Sequence, residues 1–290
     1  MKNIAITSCN NESKLVLGTV QFGLNYGINN LHGKTKPQEV CTILNMAYES
    51  GIKCLDTSYG YGDSESIIGE TLSNHAFQFQ IISKYPQNSG EVKDVFNRSL
   101  QRLKVSHVYG YMVHHFSYFK DNSSIWDDFR ALKNDAKVDK IGFSLYSPDE
   151  LEYLFKHNIC FDIIQFPYNV FDRRFESYMV ELKQRGVEIH VRSTFLQGLF
   201  YKDRETLPAR LQPLKKYLLL LDDFAKEKNL SIEDIALGYN LQNPHIDGVL
   251  TGVDNSEQLR SNIYASQKNV IIDLQIKVKE KELLNPVNWN

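Results

Sequence analysis

Eight short apolar runs, each followed by a longer amphipathic one, constrain this chain more than any other feature. Runs at 15–18 (LVLG), 52–56 (IKCLD), 80–84 (QIISK), 109–114 (YGYMVH), 140–144 (KIGFS), 162–166 (DIIQF), 187–193 (VEIHVRS) and 247–252 (DGVLTG) read as strands. Between them, apolar residues recur at helical spacing over 40–50, 65–72, 92–103, 124–134, 148–157, 175–185, 232–242 and 256–266. Several of these segments carry boundary signals. Ser147-Pro148-Asp149-Glu150 offers an N-cap, a first-turn proline and early acids, Ser231 and Asp234 have capping-box spacing, and Gly186 supplies a stop. Strand and helix alternating eight times is the pattern of a closed (β/α)8 barrel, an α/β TIM barrel. The rival is an open doubly wound sheet. Its G-x-G-x-x-G fingerprint is missing after the first strand, because Gly18, Gly23 and Gly27 have the wrong spacing.

Barrels of this type run to roughly 250 residues as one domain, so the 290 residues here are expected to form a single domain over 1–290, with a tail from about 270. The stretch 199–215, with Pro208 and Pro213, reads as a long loop or short extra helix. A net charge of -2 gives no nucleic-acid footprint. Cys9, Cys41, Cys54 and Cys160 form no C-x-x-C pair, which argues against a zinc site and fits free thiols in a reducing compartment. The opening MKNIAITSCNNESK lacks a long apolar stretch, so no secretory leader is expected, and no window is apolar enough for a membrane span. The expectation is a cytoplasmic protein with a small-molecule ligand.

In such a barrel, chemistry gathers at the C-terminal ends of the strands. Those ends carry Gln21, Asp56, Lys84, His114, Ser144, Gln165, Arg192 with Ser193, and Gly252. Singly, most such residues are structural. Together with the tyrosines of LDTSYGYGDSE, however, Asp56, Lys84 and His114 make a coherent device. A tyrosine has an ordinary pKa of about 10 and is a weak acid at neutral pH. A lysine ammonium nearby would lower it, an aspartate would fix the lysine, and a histidine could hydrogen-bond a carbonyl oxygen. Such a set protonates an alkoxide as hydride reaches carbon.

These residues also resemble the motifs of the aldo-keto reductase superfamily, in order along nearly the whole chain. Gly18-Thr19-Val20-Gln21-Phe22-Gly23 resembles its opening G-T-x-x-F-G, and Asp56 to Glu65 resembles its D-T-[AS]-x-x-Y-G-x-[SA]-E. Ile81 to Lys84, Tyr111 to His114, Gln165 to Asn169, and Gly252 with Gln258, Leu259 and Asn262 resemble four later motifs. The resemblance implies a catalytic tetrad of Asp56, Tyr61, Lys84 and His114, with Tyr61 as general acid. It implies cofactor contacts at Gly18 and Thr19, Ser144 and Gln165, Leu196, Gln197 and Gly198, and Gly252, Gln258 and Asn262. The cofactor it implies is NADP(H) in preference to NAD(H), and the substrate a small-molecule aldehyde or ketone. The segments TVQFGLNYGINN and RSTFLQGL resemble reductases acting on polar or nucleotide-linked sugars.

Three departures stand out. Leu145 replaces an asparagine after Ser144, Tyr109 replaces an aspartate in strand four, and Arg192 stands where an aromatic commonly stacks on the nicotinamide. A planar guanidinium can stack, and Phe195 is an alternative. The segment 253–257 holds Asp254 and Glu257 where cations would suit a 2′-phosphate, with Arg260 nearby. These departures keep open a second class of function, a cofactor-binding regulatory or redox-sensing barrel with little turnover. Other features read blandly. Ser64 is expected to cap the next helix, His114 and His115 to point to opposite faces, with no metal expected, and Asp172-Arg173-Arg174 to be a solvated loop or an anion clamp. Tyr26, Tyr85, Phe116, Tyr118, Phe119 and Phe171 fall on loops, as pocket wall or as packing.

Overall fold

A computed structural model describes residues 13–289. Cys9 and the opening residues behind the leader reading lie outside them. Eight strands, β1 (Leu15–Gly18), β2 (Cys54–Asp56), β3 (Gln80–Tyr85), β4 (Val108–Val113), β5 (Val138–Ser144), β6 (Ile163–Pro167), β7 (Glu188–Arg192) and β8 (Gly248–Gly252), pair in parallel in chain order. β8 returns to β1 and closes the barrel, so Gly18 lies opposite both Asp56 and Gly252. The strands are buried along most of their length because side chains face either the barrel interior or the surrounding helices. Val16, Cys54, Ile82, Met112, Ile163 and Leu250 fill the interior, and the larger apolar core lies between strands and helices.

Each expected helix is present within a few residues, from Pro37–Glu49 after β1 to Ser256–Gln267 after β8. The capping boxes at Ser147/Glu150 and Ser231/Asp234 form, and Gly186 takes a positive φ of 75° just past helix Met179–Gln184. The stretch 199–215 was read without its continuation. It contains 3-10 turns at Leu196–Tyr201 and Ala209–Leu214 and leads into a fourteen-residue helix, Lys215–Lys228. A second helix missed by periodicity, Phe116–Asp121, buries Phe116 and Phe119.

The N-terminal ends of the strands are closed by a polar cluster. Glu188 accepts from Tyr109 Oη at 2.6 Å, His190 Nε2 at 2.7 Å and Lys140 Nζ. Tyr109, one of the sequence departures, therefore belongs to the far end of the barrel from any strand-end chemistry. After Ser256–Gln267, residues 268–280 run without helix or strand along the outside of the barrel. Both ends of the Gln242 amide grip the backbone of Ile272, at 3.0 and 2.8 Å, and Glu280 accepts from Tyr217 and Lys216 at 2.8 Å. Cys41, Cys54 and Cys160 are free thiols. Among the described residues no helix is long and apolar enough to cross a membrane.

Candidate active site

The end of β3 brings Lys84 into the barrel mouth, where it is completely buried. Its Nζ donates to Asp56 Oδ1 at 2.5 Å and to the Thr57 carbonyl at 3.0 Å. Burial lowers the Lys84 pKa, and the Asp56 carboxylate opposes that shift. The second Asp56 oxygen accepts from Gln165 Nε2 at 2.9 Å. The Gln165 amide, expected at a cofactor carboxamide, thus spends its donor on the ion pair while still lining the cavity above.

Tyr61 follows on the β2 loop. That loop is fixed to the end of β1 by buried hydroxyls: Thr19 donates to the Asp56 carbonyl at 2.9 Å, and Ser64 donates to the Thr19 carbonyl at 2.9 Å. Ser64 is therefore not a cap. Asp63 occupies that position, and the neighbouring Glu65 is buried, accepting from Ser83 at 2.6 Å. A glycine is required at 23, because a Cβ there would sit 1.8 Å from the Tyr61 carbonyl oxygen and 2.6 Å from the Ser64 nitrogen. The Tyr61 ring lies with Lys84 Nζ 5.3 Å from its centroid and His114 edge-on at 5.5 Å. Burial and then the Asp56 carboxylate raise its pKa, whereas the group that lowers it is Arg192. The expected lowering of the tyrosine pKa is not met, because burial and the Asp56 carboxylate outweigh the positive charge nearby. Tyr59, the other tyrosine of LDTSYGYGDSE, packs instead against Arg102 at 3.9 Å and Arg98 at 5.6 Å from its ring centroid.

β4 ends at Val113, so His114 and His115 leave strand geometry and their rings lie 4.6 Å apart rather than on opposite faces. Burial, then the charges of Lys84, His115 and Arg192, push the His114 pKa well down, leaving a neutral imidazole. Its Nδ1 lies 3.1 Å from Ser58 Oγ, a hydroxyl that accepts from the Gly60 N–H at 3.1 Å and lies 3.3 Å from the Lys84 carbonyl. Among the described residues no cluster of three His, Cys, Asp or Glu could hold a metal.

Above these groups opens a cavity of about 350 Å³. Asp56, Tyr61 and Gln165 line it with Gly18, Thr19, Arg192 and Ser193, and so do Gly252, which lies beside Gly18, and Gln258 and Asn262 of the last helix. Gln197 and Gly198 also line it, and both have positive φ, as do Ser193 and Leu196. Asn169 holds this β7 loop: its amide donates to the Ser193 carbonyl at 2.9 Å while its oxygen accepts from the Phe171 and Asp172 N–H groups. Across the cavity, Gln197 donates to Tyr26 Oη at 2.5 Å and accepts from the Ile28 N–H at 3.1 Å. Two expected contacts are displaced. Leu196 is fully buried in the core, and Ser144, buried beside Gln165, does not line the cavity.

The aldo/keto reductase family model matches residues 14–278. The chain belongs to the aldo/keto reductase family. It is 25% identical to the uncharacterized oxidoreductase YqkF of Bacillus subtilis, over 91% of this chain and 94% of that one. It is 26% identical to the NADH-specific methylglyoxal reductase of Escherichia coli, over 80% and 84%. A solved aldo-keto reductase of Bacillus halodurans, in its holo form, superposes with a TM-score of 0.71 at 20% identity, covering 94% of this chain and 91% of that one. An aldo-keto reductase is thus an oxidoreductase with a nicotinamide cofactor, built on this barrel.

Within this aldo-keto reductase, the departure at Arg192 has local partners. The Arg192 guanidinium donates to the carbonyl of Leu145 at 2.9 Å and stacks 4.1 Å from the ring of Tyr146. Phe195 lines the cavity too, against Tyr201 at 5.4 Å. Of the loop aromatics, Tyr26 lines the cavity, whereas Tyr85, Phe116, Phe119 and Phe171 are packed in the core. Asp172 and Arg174 form a bidentate pair at 2.8 and 2.7 Å with Asp172 buried, neither a solvated loop nor a clamp. Tyr146 and Ser58 escaped the sequence reading. Ser58 could have been found as the polar choice at a position where alanine also fits the motif, but Tyr146 carries no local signal.

Proposed function

We propose that this chain reduces a small-molecule aldehyde or ketone, with Tyr61 as general acid and Asp56, Lys84 and His114 as its supports. The observation that carries this reading is the convergence of a buried Lys84–Asp56 pair and a neutral His114 on Tyr61, whose side chain lines the cavity. The residues fit a nicotinamide dinucleotide. Gly252 presents bare backbone, and the buried Oε1 of Gln21 beside it has no partner. When bound, that cofactor supplies a hydride to the carbonyl carbon.

The chain's own residues do the rest. His114, neutral, hydrogen-bonds the carbonyl oxygen and orients it. As negative charge builds on that oxygen, Tyr61 donates its phenolic proton, giving the alcohol and a phenolate that solvent reprotonates. An alkoxide is a stronger base than a phenolate, so the transfer runs downhill even with the Tyr61 pKa raised. The phenol is protonated at neutral pH and so is ready to donate. Lys84 and Asp56 hold a positive and a negative charge beneath the ring at fixed positions. A sugar carbonyl and the small dicarbonyl named for the Escherichia coli relative are the substrate classes to test first.

The alternative, a regulatory barrel with little turnover, would bind the cofactor without reducing a carbonyl. Turnover by Tyr61→Phe and Tyr59→Phe, alongside cofactor titration, tests the proposal. Tyr61→Phe should lose about 10²- to 10⁴-fold in kcat and keep cofactor affinity. Tyr59→Phe should keep most of its activity. An active Tyr61→Phe variant sinks the assignment.

A further inference from the structure

We infer that the end of the cavity formed by Gln21, Asp254 and Gly252 is built for a ribose with both hydroxyls free, so that the chain uses NADH and rejects NADPH. The inference rests on reading the cavity as a nicotinamide dinucleotide site with its reacting end at Tyr61. The part of the cavity past β8, where Asp254 and Gln258 stand, then receives the adenosine ribose.

Gln21 is only 8% exposed, and its side chain lies where a Cβ on Gly252 would reach it at 2.8 Å. Its amide donates to the Asp254 carboxylate, while its buried Oε1 accepts from nothing. Asp254 is itself held in place. Its N–H donates to Gln258 Oε1 at 2.8 Å, its Oδ2 accepts from Gln258 Nε2 at 3.3 Å, and its carbonyl accepts from Thr35 at 3.3 Å. Glu233 adds a second carboxylate to the lining. The cation that lines the cavity is Arg192, whose charge acts on Tyr26 and Tyr61 at the reacting end. Arg260, which might have served a phosphate on sequence grounds, is exposed and does not line the cavity. His32, whose charge bears on Asp254, does not line it either.

This end therefore offers an orphaned acceptor and the fixed carboxylate of Asp254. A ribose diol brings hydroxyl donors to both. A 2′-phosphate brings about -1.5 to -2 charges and three acceptor oxygens, and sets acceptor against acceptor. The same logic operates in other dinucleotide sites, where an acidic side chain takes the ribose hydroxyls and an arginine takes the 2′-phosphate. The preference for NADP(H) expected from family resemblance is accordingly reversed.

Titration of the purified full chain with NADH and with NADPH, followed by nicotinamide fluorescence, tests this without turnover. NADPH should bind at least about tenfold more weakly. Asp254→Asn and Asp254→Ser should each narrow the gap about tenfold, chiefly by tightening NADPH, and Gln21→Leu should weaken NADH. NADPH binding as tightly as NADH, or a ratio unmoved by both Asp254 variants, overturns the inference and leaves the nicotinamide reading standing. Binding of neither cofactor overturns both.

Discussion

Replacing Lys84 by methionine isolates the contribution of the ion pair beneath the cavity. The Lys84 side chain is 0% exposed and that of Asp56 3%, so neither charge is screened by water. Methionine keeps most of the apolar stem. It leaves Asp56 as a buried carboxylate with Gln165 as its remaining side-chain donor, and it leaves the Thr57 carbonyl without Lys84. Removing one member of a buried pair costs about 3–5 kcal/mol, most of it the stranded charge. At about 2–4 °C per kcal/mol for domains somewhat smaller than this one, the thermal midpoint should fall on the order of 10 °C. Adding Asp56→Asn removes the stranded charge but keeps an acceptor for Gln165, so the double variant should regain a large part of the loss. Urea denaturation followed through Trp126 fluorescence and circular dichroism measures both steps. A double variant as unstable as Lys84→Met alone refutes the argument, because the cost would then lie in packing and not in an unpaired charge.

Other consequences can be checked separately. Reduction needs protonated Tyr61, whose pKa is raised, so activity should persist past the ordinary tyrosine value of about 10; in Arg192→Gln the alkaline limb should move higher still, as the group that lowers this pKa is lost. Burial raises the Glu188 pKa, but hydrogen bonds and charge from His190, then Lys140 and Tyr109, hold it at about 2. Its contribution is therefore full above the unfolded value of about 4.3 and lost as pH falls toward about 2, and Glu188→Gln should flatten urea midpoints over that window. Asn169→Ala leaves the buried Phe171 N–H without its acceptor, at about 1–3 kcal/mol, removes one of two partners from the Asp172 N–H and the Ser193 carbonyl, and should speed amide exchange across 193–198.

Much of the barrel was legible because strand ends and helix faces are written in local pattern. Asp56, Lys84 and Gln165 fall at strand ends by simple counting, and the barrel then forces them together. The helix Lys215–Lys228 was hidden because its apolar residues run consecutively over 217–221, with Leu219 and Leu220 half in solvent, so no face repeats. Tertiary partners were illegible for the same reason in reverse. Nothing near Arg192 announces Tyr146, which arrives from the β5 loop, and nothing near Ser64 announces the Thr19 carbonyl that takes its hydroxyl. The direction of the Tyr61 shift was misjudged because sequence shows that charges are near, not how deeply the ring is buried or that the Asp56 carboxylate acts on it too.

The contact at Gly23 has a bearing on how such a barrel can be altered. With no room for even a methyl group between it and the carbonyl of Tyr61, the turn after β1 and the turn after β2 fit together as a single part. Grafting either loop alone from a relative would misplace the tyrosine before any new substrate contact was tried. Exchanged as a pair, 19–23 with 57–64, they would carry their own alignment with them, and selectivity could then be varied through the outer loops without resetting the proton donor.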